Sequence, residues 1–66
     1  VRKEMVNPQF EVYQDKSKAK EWRWRFQASN SKIIADSSEG YVNKRDCEHG
    51  IELVKKEAST AEIIYK

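Results

Sequence analysis

The run Glu21-Trp22-Arg23-Trp24-Arg25-Phe26-Gln27-Ala28 alternates aromatic and polar residues without a break. A period of two is the signature of a half-buried β-strand. Trp22, Trp24, Phe26 and Ala28 then point to one face, and Arg23, Arg25 and Gln27 to the other. Both tryptophans of the chain lie here, so this strand is expected to carry the largest share of apolar burial in a small core.

Phe10 to Asp15 alternates in the same way, with Phe10 and Val12 on one face and Glu11, Tyr13 and Asp15 on the other. Lys16 to Lys20 is polar and short enough for a hairpin loop. With Asp15 opposite Glu21, Phe10 faces Phe26 and Val12 faces Trp24 on the core side. Glu11 faces Arg25 and Tyr13 faces Arg23 on the other, a register that matches apolar with apolar and acid with cation. Its cost is the like-charged Asp15–Glu21 pair at the frayed end.

Ser29-Asn30-Ser31-Lys32 reads as a second turn, with Asn30 as the residue that best tolerates positive φ. Lys32 to Ser37 returns as a third strand, with Ala28 opposite Ile33, Phe26 opposite Ala35 and Arg25 opposite Asp36. Arg25 is then expected between two acids, Glu11 and Asp36. Ser38-Glu39-Gly40 breaks the pattern, and Asn43 with Asp46 resembles a helix cap. From Lys44 to Ala58, Cys47, Ile51, Val54 and Ala58 recur at helical steps, with Gly50 on the same stripe. Gly50 is expected to let the helix backbone approach the indole rings. Ser59-Thr60 ends the helix, and Glu62 to Lys66 reads as a fourth short strand, Ile63 and Tyr65 opposite in facing to Ile64.

The expected fold is α+β and two-layered: an antiparallel three-stranded meander, one helix over the Trp22/Trp24/Phe26 face, and a short last strand. Residues 1–9 show no period and are expected as a flexible N-terminal tail, with 10–66 as a single domain. In a 66-residue chain this core cannot take every apolar residue. Ile34, Leu53, Ile64, Tyr13, and Tyr41 or Tyr65 are left over, and such a surplus points to a partner surface. A homodimer is the economical expectation, with any other protein partner unspecified. The lone cysteine, Cys47, excludes an intrachain disulfide and fits a reducing compartment. No apolar run reaches membrane-span length and no secretory leader is visible, so a cytoplasmic protein without a membrane partner is expected.

Phe10-Glu11-Val12-Tyr13, Glu21-Trp22-Arg23-Trp24-Arg25, Ala28-Ser29-Asn30, Ser37-Ser38-Glu39-Gly40-Tyr41 and Gly50-Ile51-Glu52-Leu53-Val54-Lys55 together resemble the YegP-like family of small proteins. The resemblance covers nearly all of Phe10 to Tyr65. It implies a β-β-β-α-β unit, single in some members and tandem in others, and for a single unit a homodimer standing in for the tandem pair. This chain has Asn30-Ser31 where the family commonly has Asn-Gly. The family brings no established activity, cofactor or catalytic residue.

Tyr13, Arg23 and Arg25 are the candidate binding residues. On an open sheet face two arginines can hold phosphates while an aromatic stacks a base, so weak nucleic-acid binding is the alternative to a protein-interaction role. The plain structural reading is that Arg25 bridges Glu11 and Asp36 while Arg23 lies along Tyr13. A net charge of +2 from interspersed signs argues weakly against strong phosphate binding. An exposed tryptophan platform is the lesser reading beside core packing. Cys47 and His49 lie two apart, roughly 200° around a helix, and cannot face one substrate. They are too few for a zinc site in one chain. Asp36, Ser37, Ser38 and Glu39 suit a polar turn. No catalytic residue, metal ligand or cofactor is therefore assigned, and a non-enzymatic module is expected.

Overall fold

In the computed structural model residues 6–66 are described, and the part of the expected tail that falls on 1–5 lies outside them. Three strands, β1 (Gln9–Gln14), β2 (Trp22–Gln27) and β3 (Ile33–Asp36), form one antiparallel sheet in the order β1-β2-β3. Helix α1 (Lys44–Glu57) follows, and a single 3₁₀ turn over Ala58–Thr60 extends it. The architecture is α+β, with the helix on the tryptophan face of the sheet.

The β1–β2 register is the one the alternation predicts: Phe10↔Phe26, Glu11↔Arg25, Val12↔Trp24 and Tyr13↔Arg23. The like charges at its end are drawn apart. Asp15 turns to Ser17 and Arg23, while Glu21 fills the space that the missing side chain of Gly40 leaves. The β2–β3 register departs from expectation after two pairs. Arg25↔Asp36 and Phe26↔Ala35 hold, but Gln27 then pairs with Ile33, so Ile34 is the extra residue of a bulge and Ala28 is not opposite Ile33. Positive φ in the second turn falls at Ser31 (φ 71°), not Asn30, whose side chain instead accepts the Lys32 N–H at 3.1 Å.

Asn43 is the N-cap residue, and its carbonyl accepts the N–H groups of Asp46 and Cys47. Its side chain makes no cap bond; the Asn43 amide donates to Asp46 Oδ2 at 3.3 Å. Tyr41 forms a single antiparallel bridge to Trp22 through two backbone bonds, Trp22 N–H to the Tyr41 carbonyl at 2.7 Å and Tyr41 N–H to the Trp22 carbonyl at 2.8 Å. That bridge anchors the helix start to the first residue of β2.

The core comprises Trp24 (7% exposed), Cys47 (0%) and Ile51 (8%), with Phe10, Val12, Trp22, Phe26, Tyr41 and Val54 packed around them. Phe10 meets Trp24 edge-on at 5.4 Å between ring centroids and Phe26 at 4.8 Å. Gly50 permits the helix to approach. A Cβ there would stand 2.8 Å from Tyr41 Oη and 3.6 Å from Trp24 Nε1, so the tyrosine hydroxyl, more than an indole, occupies its space. Among the described residues the buried Trp24 indole N–H has no hydrogen-bond partner.

Residues 61–66 form no strand within the single chain. Ile63, Ile64 and Tyr65 are 79, 72 and 88% exposed. A strand exists only where another edge satisfies its backbone, and here none is adjacent. Val6 N–H bonds to the Ser29 carbonyl at 2.8 Å and β1 begins at Gln9, so pairing reaches into the segment expected as tail. Among the described residues no helix is long and apolar enough to cross a membrane.

Candidate functional site

Two surfaces stand out from the residues upward. The first is the sheet face opposite the helix. Alternation along β1 and β2 puts Glu11, Tyr13, Arg23 and Arg25 there, and the structure brings the three candidate residues together. Arg25 Nε donates to Glu11 Oε1 at 2.6 Å, and its guanidinium lies over the Tyr13 ring, 4.9 Å from the centroid. Arg23 Nε donates to Asp15 Oδ2 at 3.0 Å, and its Nη1 to the Ser38 carbonyl at 2.9 Å.

Glu11 is the expected partner of Arg25; the other partners differ from the expected ones. Asp36 does not receive Arg25; its Oδ1 accepts the Ser38 N–H at 2.9 Å, which holds the turn after β3. Tyr13 carries Arg25 rather than Arg23, because the acid that Arg23 needs lies on the loop side of it. The hydroxyl of Ser17 and the Arg23 guanidinium hold the Asp15 carboxyl below its ordinary value, and the carboxylates hold both guanidiniums above theirs. Exposed ion pairs of this kind, screened by solvent, contribute little to stability. They set orientation more than stability.

The second surface is apolar and was not singled out by sequence reasoning. An open groove of about 350 Å³ runs between sheet and helix end, lined by Phe10, Phe26, Ala35, Val54 and Ala58. A shallower hollow lined by Leu53, Val54, Ala58 and Ala61 continues it around the helix. The cause is geometric: α1 lies over β1 and β2 and leaves the β3 side of the core face bare. The signal available in sequence was the excess of apolar residues over what one helix can cover.

The remaining candidates resolve into structure. Cys47 is fully buried on the core stripe and His49 is exposed. Burial, with the nearby Glu48 charge, pushes the Cys47 thiol up, away from the thiolate that nucleophilic chemistry requires. Ser37 bonds the Trp24 N–H through its hydroxyl oxygen and donates to the Glu39 carbonyl. No cluster of three or more metal-ligating side chains is present among the described residues.

Fold and surfaces together define a small α+β unit with an ion-paired sheet face and an unfilled apolar groove. A family model, "Domain of unknown function (DUF1508)", matches residues 11–64. The chain belongs to this family, whose curated members carry the name UPF0339 and which is the YegP-like family of the sequence resemblance. A UPF0339 protein of Neisseria meningitidis serogroup B is 46% identical over 46 residues, which are 70% of this chain and 77% of the relative. One from Methanosarcina acetivorans is 44% identical over 55 residues, 83% of this chain and 90% of the relative. A UPF0339 protein of Stutzerimonas stutzeri, described as lying in the 5′ region of a ptx operon, is 49% identical over 49 residues, 74% of this chain but 41% of the relative. An NMR solution structure of a Haloferax volcanii protein matches with a TM-score of 0.79 and 42% identity, over 94% of this chain and all of that one. None of these relatives assigns a function.

Proposed function

We propose that the protein is a non-enzymatic interaction or structural module that acts as a homodimer in the cytoplasm. One observation carries the reading: an apolar groove lies open while Ile63, Ile64 and Tyr65, a few residues beyond its rim, stand exposed among the described residues. In the dimer, residues 62–66 serve as the fourth strand, adding to a free edge of the partner's sheet. Burying one isoleucine side chain contributes about 1.5–3 kcal/mol. A symmetric pair exchanges several such residues, on the scale of the roughly 8 kcal/mol of a micromolar complex. The match to the Stutzerimonas relative leaves more than half of that protein outside it, room for a second unit of this size. The buried, deactivated Cys47 supports a non-catalytic role.

Light scattering at micromolar concentration tests this. The expected mass is that of two chains, falling to one in an Ile63→Asp, Ile64→Asp variant. A wild-type monomer contradicts the proposal. Nucleic-acid binding by the Tyr13/Arg23/Arg25 face ranks second, because both guanidiniums already hold a carboxylate.

A further inference from the structure

The five cations at the β1–β2 loop and helix start make no ion pair among the described residues, whereas Arg23 and Arg25 are both paired. Three of them, Lys16, Lys18 and Lys20, are the only charged residues between Asp15 and Glu21, and all three are exposed. The loop that carries them is held in one shape. Asp15 Oδ1 accepts the Ser17 N–H at 3.2 Å and the Ser17 hydroxyl at 2.6 Å. The Ser17 carbonyl accepts the Lys20 N–H at 3.1 Å, and the Lys20 carbonyl accepts from Gln14 Nε2 at 3.1 Å. Lys20 itself sits at φ 49°.

The Trp22–Tyr41 bridge brings the helix start to this same end, with Lys44 Nζ over the half-buried Trp22 ring at 5.5 Å and Arg45 beside it in sequence. Against these stand Glu21, half-buried against Gly40, and the exposed Glu39, Asp46 and Glu48. The positive excess is small over the whole end and concentrated on the loop.

We propose that this hairpin end, Lys16, Lys18 and Lys20 with Lys44 and Arg45, is a surface for the phosphate backbone of nucleic acid. Lysines carried on a loop of fixed backbone, with one arginine beside them, suit point contacts to phosphates rather than base reading. A protein partner would need a cluster of apolar anchors, and this end exposes one large apolar residue, Val42. The surface lies at the opposite end of the hairpin from the Phe10/Phe26/Ala58 groove, so it stays free whether or not the chain pairs with a second copy.

Fluorescence anisotropy of a labelled, mixed-sequence single-stranded oligonucleotide, as DNA and as RNA, over a salt series tests the proposal. Affinity is expected to fall steeply with salt. A Lys16→Gln, Lys18→Gln, Lys20→Gln variant, with unchanged circular dichroism and unchanged mass by light scattering, is expected to bind at least about tenfold more weakly. Its log–log salt slope should be shallower by about 2, three phosphates at about 0.7 each. The Trp22 indole resonance should shift on binding in the wild type. No binding at low salt, or binding retained by the lysine variant, overturns the proposal. So does loss of binding in Arg23→Ala, Arg25→Ala with the lysines intact, which would move the interface to the sheet face. Polyglutamate binding as tightly as the oligonucleotide would overturn the phosphate assignment.

Discussion

Tyr41 and Gly50 show how one atom decides a residue choice. Alanine at position 50 would gain about 1 kcal/mol of helix propensity, but its Cβ would meet Tyr41 Oη at 2.8 Å. The backbone of Tyr41 is fixed by its bridge to Trp22, so its ring must shift within the packed core to make room. Gly50→Ala is therefore expected to lower stability by about 1 kcal/mol in denaturant unfolding, the overpacking penalty exceeding the propensity gain. Adding Tyr41→Phe removes the Oη, leaving the next atom, Cζ, in tight contact at 3.4 Å. The double variant should recover the loss. A Gly50→Ala protein as stable as wild type would remove the close approach as the reason for glycine. The apolar stripe already marked Gly50 as a contact point in sequence, because it lies in line with Cys47 and Ile51. That a phenol hydroxyl fills its space depends on the Tyr41–Trp22 bridge, which no periodicity announces.

Among the elements, legibility follows the strength of pairing. The β1–β2 register could be read because every apolar and charged match agrees on one alignment, Glu11 with Arg25 included. The β2–β3 register could not be read beyond two pairs. Ile33-Ile34 is apolar in both positions, so alternation does not say which residue the bulge extrudes. The same ambiguity hid the turn geometry, which places Ser31 at φ 71°. A left-handed serine costs roughly 1–2 kcal/mol relative to its ordinary conformation, and glycine has no such cost. Ser31→Gly is expected to raise stability by about 0.5–1 kcal/mol, measured by thermal unfolding, after the greater chain entropy of glycine offsets part of the gain. A fall in stability would mean that the Ser31 side chain supports the turn. On the ion-paired face the Glu11–Arg25 pair was legible, but the Asp15–Arg23 pair was not. Asp15 takes Arg23 because the Asx turn with Ser17 points its second oxygen inward, and the Asp15-x-Ser17 spacing was the available signal.

At the scale of the molecule, one helix over three strands leaves a sheet half covered on the core side. The groove at Phe10, Phe26, Ala35 and Ala58 and the uncovered residues 63–65 are two consequences of the same shortage of core. Sequence showed that a surplus existed; the three-dimensional arrangement shows where the surplus faces. The sequence reading placed a fourth strand at residues 62–66, but no strand forms there in the single chain. The basic hairpin end is independent of this pairing.

The most direct measurement is an isotope-filtered nuclear Overhauser experiment on a mixture of labelled and unlabelled chains. It detects contacts between copies and rejects those within one. The homodimer account predicts intermolecular cross-peaks from Ile63, Ile64 or Tyr65 to groove residues such as Phe10, Ala35 and Ala58. Groove contacts found only within a chain, in a sample whose mass is that of one copy, would contradict it.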